Sequence, residues 1–421
     1  MLVNFLYFIS ILFQDLKLQL FLGKLAASPM FFTVFFILII YRKNIKIENI
    51  TKVFFIYFLI SLSISLSVLF FYTITDGSEN LLVKTFKSSM YNFINMLVVL
   101  VTYNMLIRLG LIKFLKIFMY MYILLIIWLI IESIDKSIFS IFHAHEYLNL
   151  NIRHRLSTQE VSQAFPFFIL VSMFSYIYLI SVNTNLSKKL LFVLCSLVAS
   201  FFILSKGGFI IFVISVFLTY VIIFGIKKVL KFLPLLIIFL FFEIWFLITT
   251  IIPMINADIE LYTSFATRGV SLLSIPISLY YFPFGIGYGT YTIYLPEVFM
   301  ISMDIFNSLL GINLNYNELN QIIESGDNLA IKSGLGFQIV QTGIIGLFFY
   351  IYIYAYTFKI IHALKNIELK FILMMITIFS LLEILLVVNF EVFYIYLIIF
   401  SFVSYIKYLK KKEANHENII Y

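Results

Sequence analysis

Five arginines stand in this chain of 421 residues, Arg42, Arg108, Arg153, Arg155 and Arg268. Arginine presents a planar fork of N–H donors that matches a phosphate or carboxylate, and it stays charged near neutral pH. Arg42 and Arg108 lie in short lysine-rich stretches between apolar runs. Arg153, Arg155 and Arg268 lie instead in two longer segments between the apolar runs, 133–161 and 251–333. Three such groups beside a membrane surface suit an anionic headgroup or a pyrophosphate. The bland reading is that each snorkels to an ordinary lipid phosphate.

Other polar residues near these arginines extend the list. Glu160 follows in Arg155-Leu156-Ser157-Thr158-Gln159-Glu160-Val161-Ser162-Gln163. Its carboxylate could orient the arginines or take a proton from a sugar hydroxyl. It serves equally as an acid complementing a helix N-terminus. Ser205-Lys206-Gly207-Gly208 makes a tight turn whose Lys206 either adds to an anion site or is a plain interfacial lysine. Gln163, Asp327 and Asn328 are candidate polar contacts for a sugar; Asp327 and Asn328 could equally be solvated loop residues. The run Gly285-Ile286-Gly287-Tyr288-Gly289 lacks the strand-to-helix context of a nucleotide loop, so that reading is rejected. His143, His145 and His154 with Glu146 match no metal-ligand spacing. Glu243 and Glu383 fall inside apolar runs, where a carboxylate is costly and therefore a functional candidate.

The elements that must hold these residues are membrane helices. Hydrophobic residues make up 62% of the chain and charged ones 12%, with a mean hydropathy of +1.06. A soluble domain is about one quarter charged, so lipid must be the solvent of most of this surface. The net charge of +8 is carried by lysines in short clusters between apolar runs. That distribution anchors a membrane protein and gives no reason to expect a nucleic acid. The single cysteine, Cys195, excludes an internal disulfide. The start of the chain reads as part of a first span, with Ala26-Ala27-Ser28 as a weak alternative cleavage site.

A helix needs about 20 apolar residues to cross a bilayer. Runs near that length occur at about 2–22, 25–41, 53–73, 90–107, 114–132, 162–182, 189–205, 207–225, 229–250, 334–358, 370–388 and 391–407. The expected fold is all-α and polytopic, one membrane domain over 1–421 with about 12 spans. The seventh and eighth runs are expected to form a tight hairpin. Basic clusters recur every second span, at 42–52, 108–116, 188–189, 227–231, 359–370 and 407–412. Placing all of them inside puts both termini in the cytoplasm. Segments 133–161 and 251–333 are then the outer loops, the second expected to form short helices on or in the outer leaflet.

Four of these stretches resemble the O-antigen polymerase and O-antigen ligase superfamily of bacterial envelope glycosyltransferases. They are Arg155 with Glu160 and Ser162; Leu204-Ser205-Lys206-Gly207-Gly208; Arg268 followed by Pro283-Phe284-Gly285-Ile286-Gly287-Tyr288-Gly289; and Ser333-Gly334-Leu335-Gly336 running on to Gly343-Ile344-Ile345-Gly346. The likeness covers about 150–350. Lys206 stands where the family usually has arginine. The ligase branch carries a histidine near Ser333 and Gly334, and none lies between His154 and His362 here. That departure favours a polymerase.

The resemblance implies a bacterial inner-membrane enzyme that joins repeat units carried on a polyprenyl diphosphate. The diphosphate would be held by Arg153, Arg155, Arg268 and Lys206. Arg268 would stabilise the departing charge and Glu160 would act as base or as a positioner of the arginines. Gln163, Asp327 and Asn328 would touch sugar. No cofactor and no metal are required, because fixed cations do a metal's work. Membrane lipids, a chain-length regulator and a flippase are the implied partners. An O-antigen ligase is the nearer alternative; a flippase or transporter of the same lipid-linked oligosaccharide is the alternative of a different class. The absence of internal repeats and the gathering of unusual charges in the outer loops weigh against the transporter.

Overall fold

With no water in the hydrocarbon region, backbone N–H and C=O groups must bond within the chain, which leaves helices as the economical answer for apolar runs of this length. The computed structural model describes residues 2–17, 20, 28–76, 79–135, 138, 143, 154–158, 161–203, 205–226, 264–310, 314–325, 329–388 and 390–414. Among them are fourteen α-helices: α1 (Leu2–Leu12), α2 (Met30–Tyr41), α3 (Asn49–Asp76), α4 (Glu79–Leu109), α5 (Leu111–Ile134), α6 (Val161–Ser181), α7 (Leu186–Ile203), α8 (Lys206–Phe224), α9 (Ser264–Tyr281), α10 (Tyr291–Leu310), α11 (Asn317–Ser325), α12 (Gly334–His362), α13 (Ile367–Leu386) and α14 (Ile398–Ala414). A 3-10 helix, Phe390–Leu397, leads into α14. No strand occurs among the described residues. Ten helical segments there are long and apolar enough to cross a membrane, and the chain is an all-α polytopic membrane protein.

Eight of the expected runs are recovered as α3 to α8, α12 and α13, and the run at 391–407 becomes the 3-10 helix with α14. The ninth, 229–250, lies outside the described residues. The first two runs yield helices of 11 and 12 residues, too short to cross alone. They are tied by Ser10 Oγ donating to Thr33 Oγ1 at 2.7 Å, and Ser28 Oγ donates to the Ser10 carbonyl at 2.8 Å.

The segment 251–333 departs from expectation. Its helices α9 and α10 have 18 and 20 residues, and α10 is span-length despite Glu297 and Asp304. They pack on each other at close range: Ser274 and Ser302 share a hydrogen bond at 3.0 Å, and Gly269 lies against the Phe306 ring. The α7–α8 hairpin also differs from expectation. Its turn is tight, but α7 packs on α6 while α8 packs on α13 and α6, so the two arms diverge. Helix α6 is central, with 78% of its apolar window buried against 17% for α7.

Several basic clusters meet at one end of the bundle. Asn104 pairs with the Lys46 backbone at 2.8 and 2.9 Å, and Arg108 lies 3.8 Å over the Tyr41 ring. Lys189 pairs with Glu368 at 2.9 Å. Lys370 and Lys410 donate to the carbonyls of His362 and Ala363, and Lys407 donates to the Tyr356 hydroxyl. With Lys46 Nζ 5.5 Å over the Tyr408 ring, these contacts join clusters from 42–52, 108, 188–189, 359–370 and 407–410, consistent with their sharing one side of the bilayer.

Candidate functional site

At the other end of the bundle the described arginines have different fates. Arg155 is 4% exposed. Its guanidinium forms a buried ion pair with Asp15, and its Nε donates to the Thr158 carbonyl at 2.8 Å. The Glu132 carboxylate, at the end of α5, accepts the backbone N–H groups of Arg155 and Leu156 at 2.6 and 3.0 Å. His143 Nδ1 meets Asp15 at 3.1 Å, and the Gln14 N–H donates to the Ser157 carbonyl. Arg155 thus clamps the segment after α1 to the segment before α6. A buried pair of this kind leaves little free donor capacity for a ligand.

Arg268 is placed otherwise. It lies in the first turns of α9, half-buried, and its Nη1 donates to the Leu386 carbonyl at 3.2 Å. A guanidinium has five N–H donors, and this is the single hydrogen bond it makes among the described residues. The carbonyl it touches belongs to a junction of four elements. Helix α13 ends at Leu386, and the N–H groups of Val387 and Val388 turn back to the Glu383 carbonyl at 2.9 and 2.8 Å. The Gly334 N–H donates to the Val388 carbonyl at 2.8 Å, docking the start of α12. At Gly207 the start of α8 comes so near that an added methyl would sit 3.5 Å from the Val387 side chain. The next residue, Gly208, abuts Phe165 and Pro166 of α6.

The two helices that begin at this junction start in the same way. Ser205 Oγ accepts the Gly208 N–H at 3.3 Å, and Ser333 Oγ accepts the Gly336 N–H at 2.9 Å. Each serine satisfies one of the first unpaired donors of its helix. The remaining donors and the helix dipole leave both starts attractive to an anion. Lys206 is the first residue of α8. On the surrounding elements, both amide atoms of Gln163, both carboxylate oxygens of Glu383 and Ser380 Oγ are buried and find no hydrogen-bond partner among the described residues. Such groups are rare in proteins, and each calls for a physical reason.

Two motifs that are 50 residues apart in the sequence dock on each other beside this junction. Helix α12 breaks at Gly343, where φ is 64° and ψ is −146°. The loop from Pro283 to Gly287 enters the break. Ile286 and Gly287 donate to the carbonyls of Val340 and Gln341 at 3.0 Å each, and Ile344 donates to the Pro283 carbonyl at 2.8 Å. Only glycine fits at Gly343 and Gly285. Both have positive φ, and a methyl on either would lie 2.2 to 2.6 Å from backbone atoms of the other segment. Non-helical backbone at membrane depth is tolerated where protein satisfies it in this fashion. Buried Gln338, Gln341 and Thr342 line the break, with the Tyr57 hydroxyl at 3.2 Å from Gln338 and 3.1 Å from Thr342.

Between the diverging arms of α7 and α8 lies an apolar groove of about 670 Å³, walled also by α6 and α13. It extends from Phe165 and Phe209, next to the junction, to Tyr176 and Glu368 near the lysine-rich end.

Of the residues expected from sequence to form the site, Arg268, Lys206 and Gln163 sit on elements that meet at the junction, and Arg155 is in the separate clamp. Arg153, Glu160, Asp327 and Asn328 lie outside the described residues. Asp15 and Glu132 were not anticipated. Their signal was a carboxylate inside or at the end of an apolar run, the same signal that Glu383 gives. No group of three metal-binding side chains occurs among the described residues. No known protein family matches the chain, and no characterised protein matches it either.

Proposed function

We propose that this protein extends a surface polysaccharide by glycosyl transfer from one polyprenyl-diphosphate-linked glycan to another, at the outer face of a bacterial cytoplasmic membrane. The observation that carries this reading is Arg268: half-buried, with one hydrogen bond among the described residues, at a junction where two helices begin. Such a place offers charge and donors together, the requirement for holding a diphosphate as it departs. The apolar groove beside it supports a lipid chain continuing into the bilayer. The order of the four motifs supports the choice of glycan chemistry, and the absence of histidine near Ser333 supports a polymerase over a ligase.

In this mechanism a hydroxyl of the terminal sugar on one lipid-linked unit attacks the anomeric carbon of the other glycan. The carbon–oxygen bond to the diphosphate breaks as the new glycosidic bond forms. Arg268, with the starts of α8 and α12 and with Lys206, stabilises the negative charge that accumulates on the diphosphate. Arg155 supports the site through the clamp. Gln163 meets a polar group of the glycan. Glu160, Arg153, Asp327 and Asn328 keep the roles the resemblance implies for them. The lysine-rich end and both termini then face the cytoplasm.

The test is Arg268→Ala in a strain that otherwise lacks the gene, with the surface polysaccharide resolved by chain length. The expected result is loss of the long-chain ladder, with single-unit product retained and the protein still in the membrane. An unchanged ladder rejects the reading. Lipid-linked single units held on the cytoplasmic face in the deletion strain would assign a flippase instead. Polymer retained on its lipid carrier would assign a ligase.

A further inference from the structure

Glu383 is the most unusual charged residue of the bundle. It lies in the last turn of a span-length helix, it is 0% exposed, and neither carboxylate oxygen has a hydrogen-bond partner among the described residues. A buried polar group in that condition costs stability, and an ionisable one in a membrane helix marks function far more often than packing. Arg268 is within electrostatic reach of it, although no ion pair joins the two among the described residues. Arg268 in turn is anchored to the carbonyl of Leu386, three residues further along the same helix. The ring of Tyr396, on the following 3-10 helix, is also within electrostatic reach of Glu383.

We infer that Glu383 is a positioning residue for Arg268, placing the guanidinium at the junction where an anion arrives. Being fully buried, the carboxyl does not itself meet the ligand. It acts through the arginine, whose Nη1 is fixed by the helix end while its other donors meet no acceptor among the described residues. The inference rests on Arg268 as the anion-binding group of the proposed reaction. It adds a residue that the four sequence motifs do not include.

The experiment compares Glu383→Gln and Glu383→Asp, each in the full chain in lipid nanodiscs, by thermal unfolding and by turnover of lipid-linked repeat units. Glutamine has the same shape and removes the ionisable carboxyl. The expected result is a turnover lowered by about 10- to 100-fold with little change in KM and no fall in melting temperature, and partial recovery with aspartate. In an Arg268→Lys background the glutamine should lower turnover by less than about threefold further, since residues that act as one unit are not additive. Wild-type turnover in Glu383→Gln overturns the inference. A lowered melting temperature with normal turnover per folded molecule also overturns it, since that is what a packing role produces. So does an equal loss in both backgrounds, which would mean that Glu383 acts independently of Arg268. If the wild-type protein itself transfers no glycan, the polymerase reading fails. Glu383 is then judged by inorganic pyrophosphate affinity in the same variants. A change confined to the Arg268-containing protein sustains the inference, and no change there rejects it.

Discussion

Gly343→Ala tests the break in α12 most directly. The methyl would meet the Pro283 carbonyl oxygen at 2.2 Å and the Gly285 nitrogen at 2.4 Å, both backbone atoms. An alanine at φ 64° and ψ −146° adds strain of roughly 1–3 kcal/mol. The simplest relief is for the 283–287 loop to leave, which removes three backbone hydrogen bonds worth about 1 kcal/mol each in net terms. The combined destabilisation is about 4–6 kcal/mol, large for a single methyl. Reversible unfolding in mixed detergent–SDS micelles measures it. A second readout reports the loop itself. Ile286 is 1% exposed, so Ile286→Cys, in a protein with Cys195→Ser, should react slowly with a water-soluble maleimide. Adding Gly343→Ala should speed that reaction at least about tenfold, in line with loss of the loop's anchorage. A destabilisation below about 1 kcal/mol with unchanged labelling would show that α12 does not depend on the loop.

Other outcomes follow from the same geometry. Arg155→Ala or Asp15→Ala alone should lower stability by about 3–5 kcal/mol, because each leaves a buried charge without its partner; Asp15→Leu with Arg155→Met should recover most of it, and chemical denaturation decides. Gly208→Ala should cost about 1–3 kcal/mol through overpacking against Phe165 and Pro166, read by thermal unfolding, with turnover reduced as the start of α8 moves. A fluorescent-protein fusion at the C-terminus should glow, and an alkaline phosphatase fusion there should be inactive. The reverse pattern would invert the topology.

Hydropathy made most of the spans legible, because the cost of exposing polar backbone to lipid is written directly into runs such as 53–73 and 370–388. It undervalued α10, where Pro296, Glu297 and Asp304 dilute an apolar face. It also read a tight α7–α8 turn as a tight hairpin, although a turn fixes two helix ends and leaves the angle to other packing partners. Asp15 falls inside the first apolar run, 2–22. Its purpose depends on Arg155, 140 residues away, and no local pattern records such a pairing. Glu383 was conspicuous for the opposite reason: its cost was visible in sequence, while Arg268 became its neighbour only through the meeting of α9 and α13.

The break in α12 also bears on how the protein is made. The loop from Pro283 to Gly287 is synthesised before the residues at 340–344 that bond to it. During that interval its N–H groups have no helix to join. Helix α12, when it emerges, cannot close its own ladder across Gly343. Neither segment is a self-sufficient insertion unit, so the two must mature together. A late, concerted docking step within the membrane would then be the natural point for quality control.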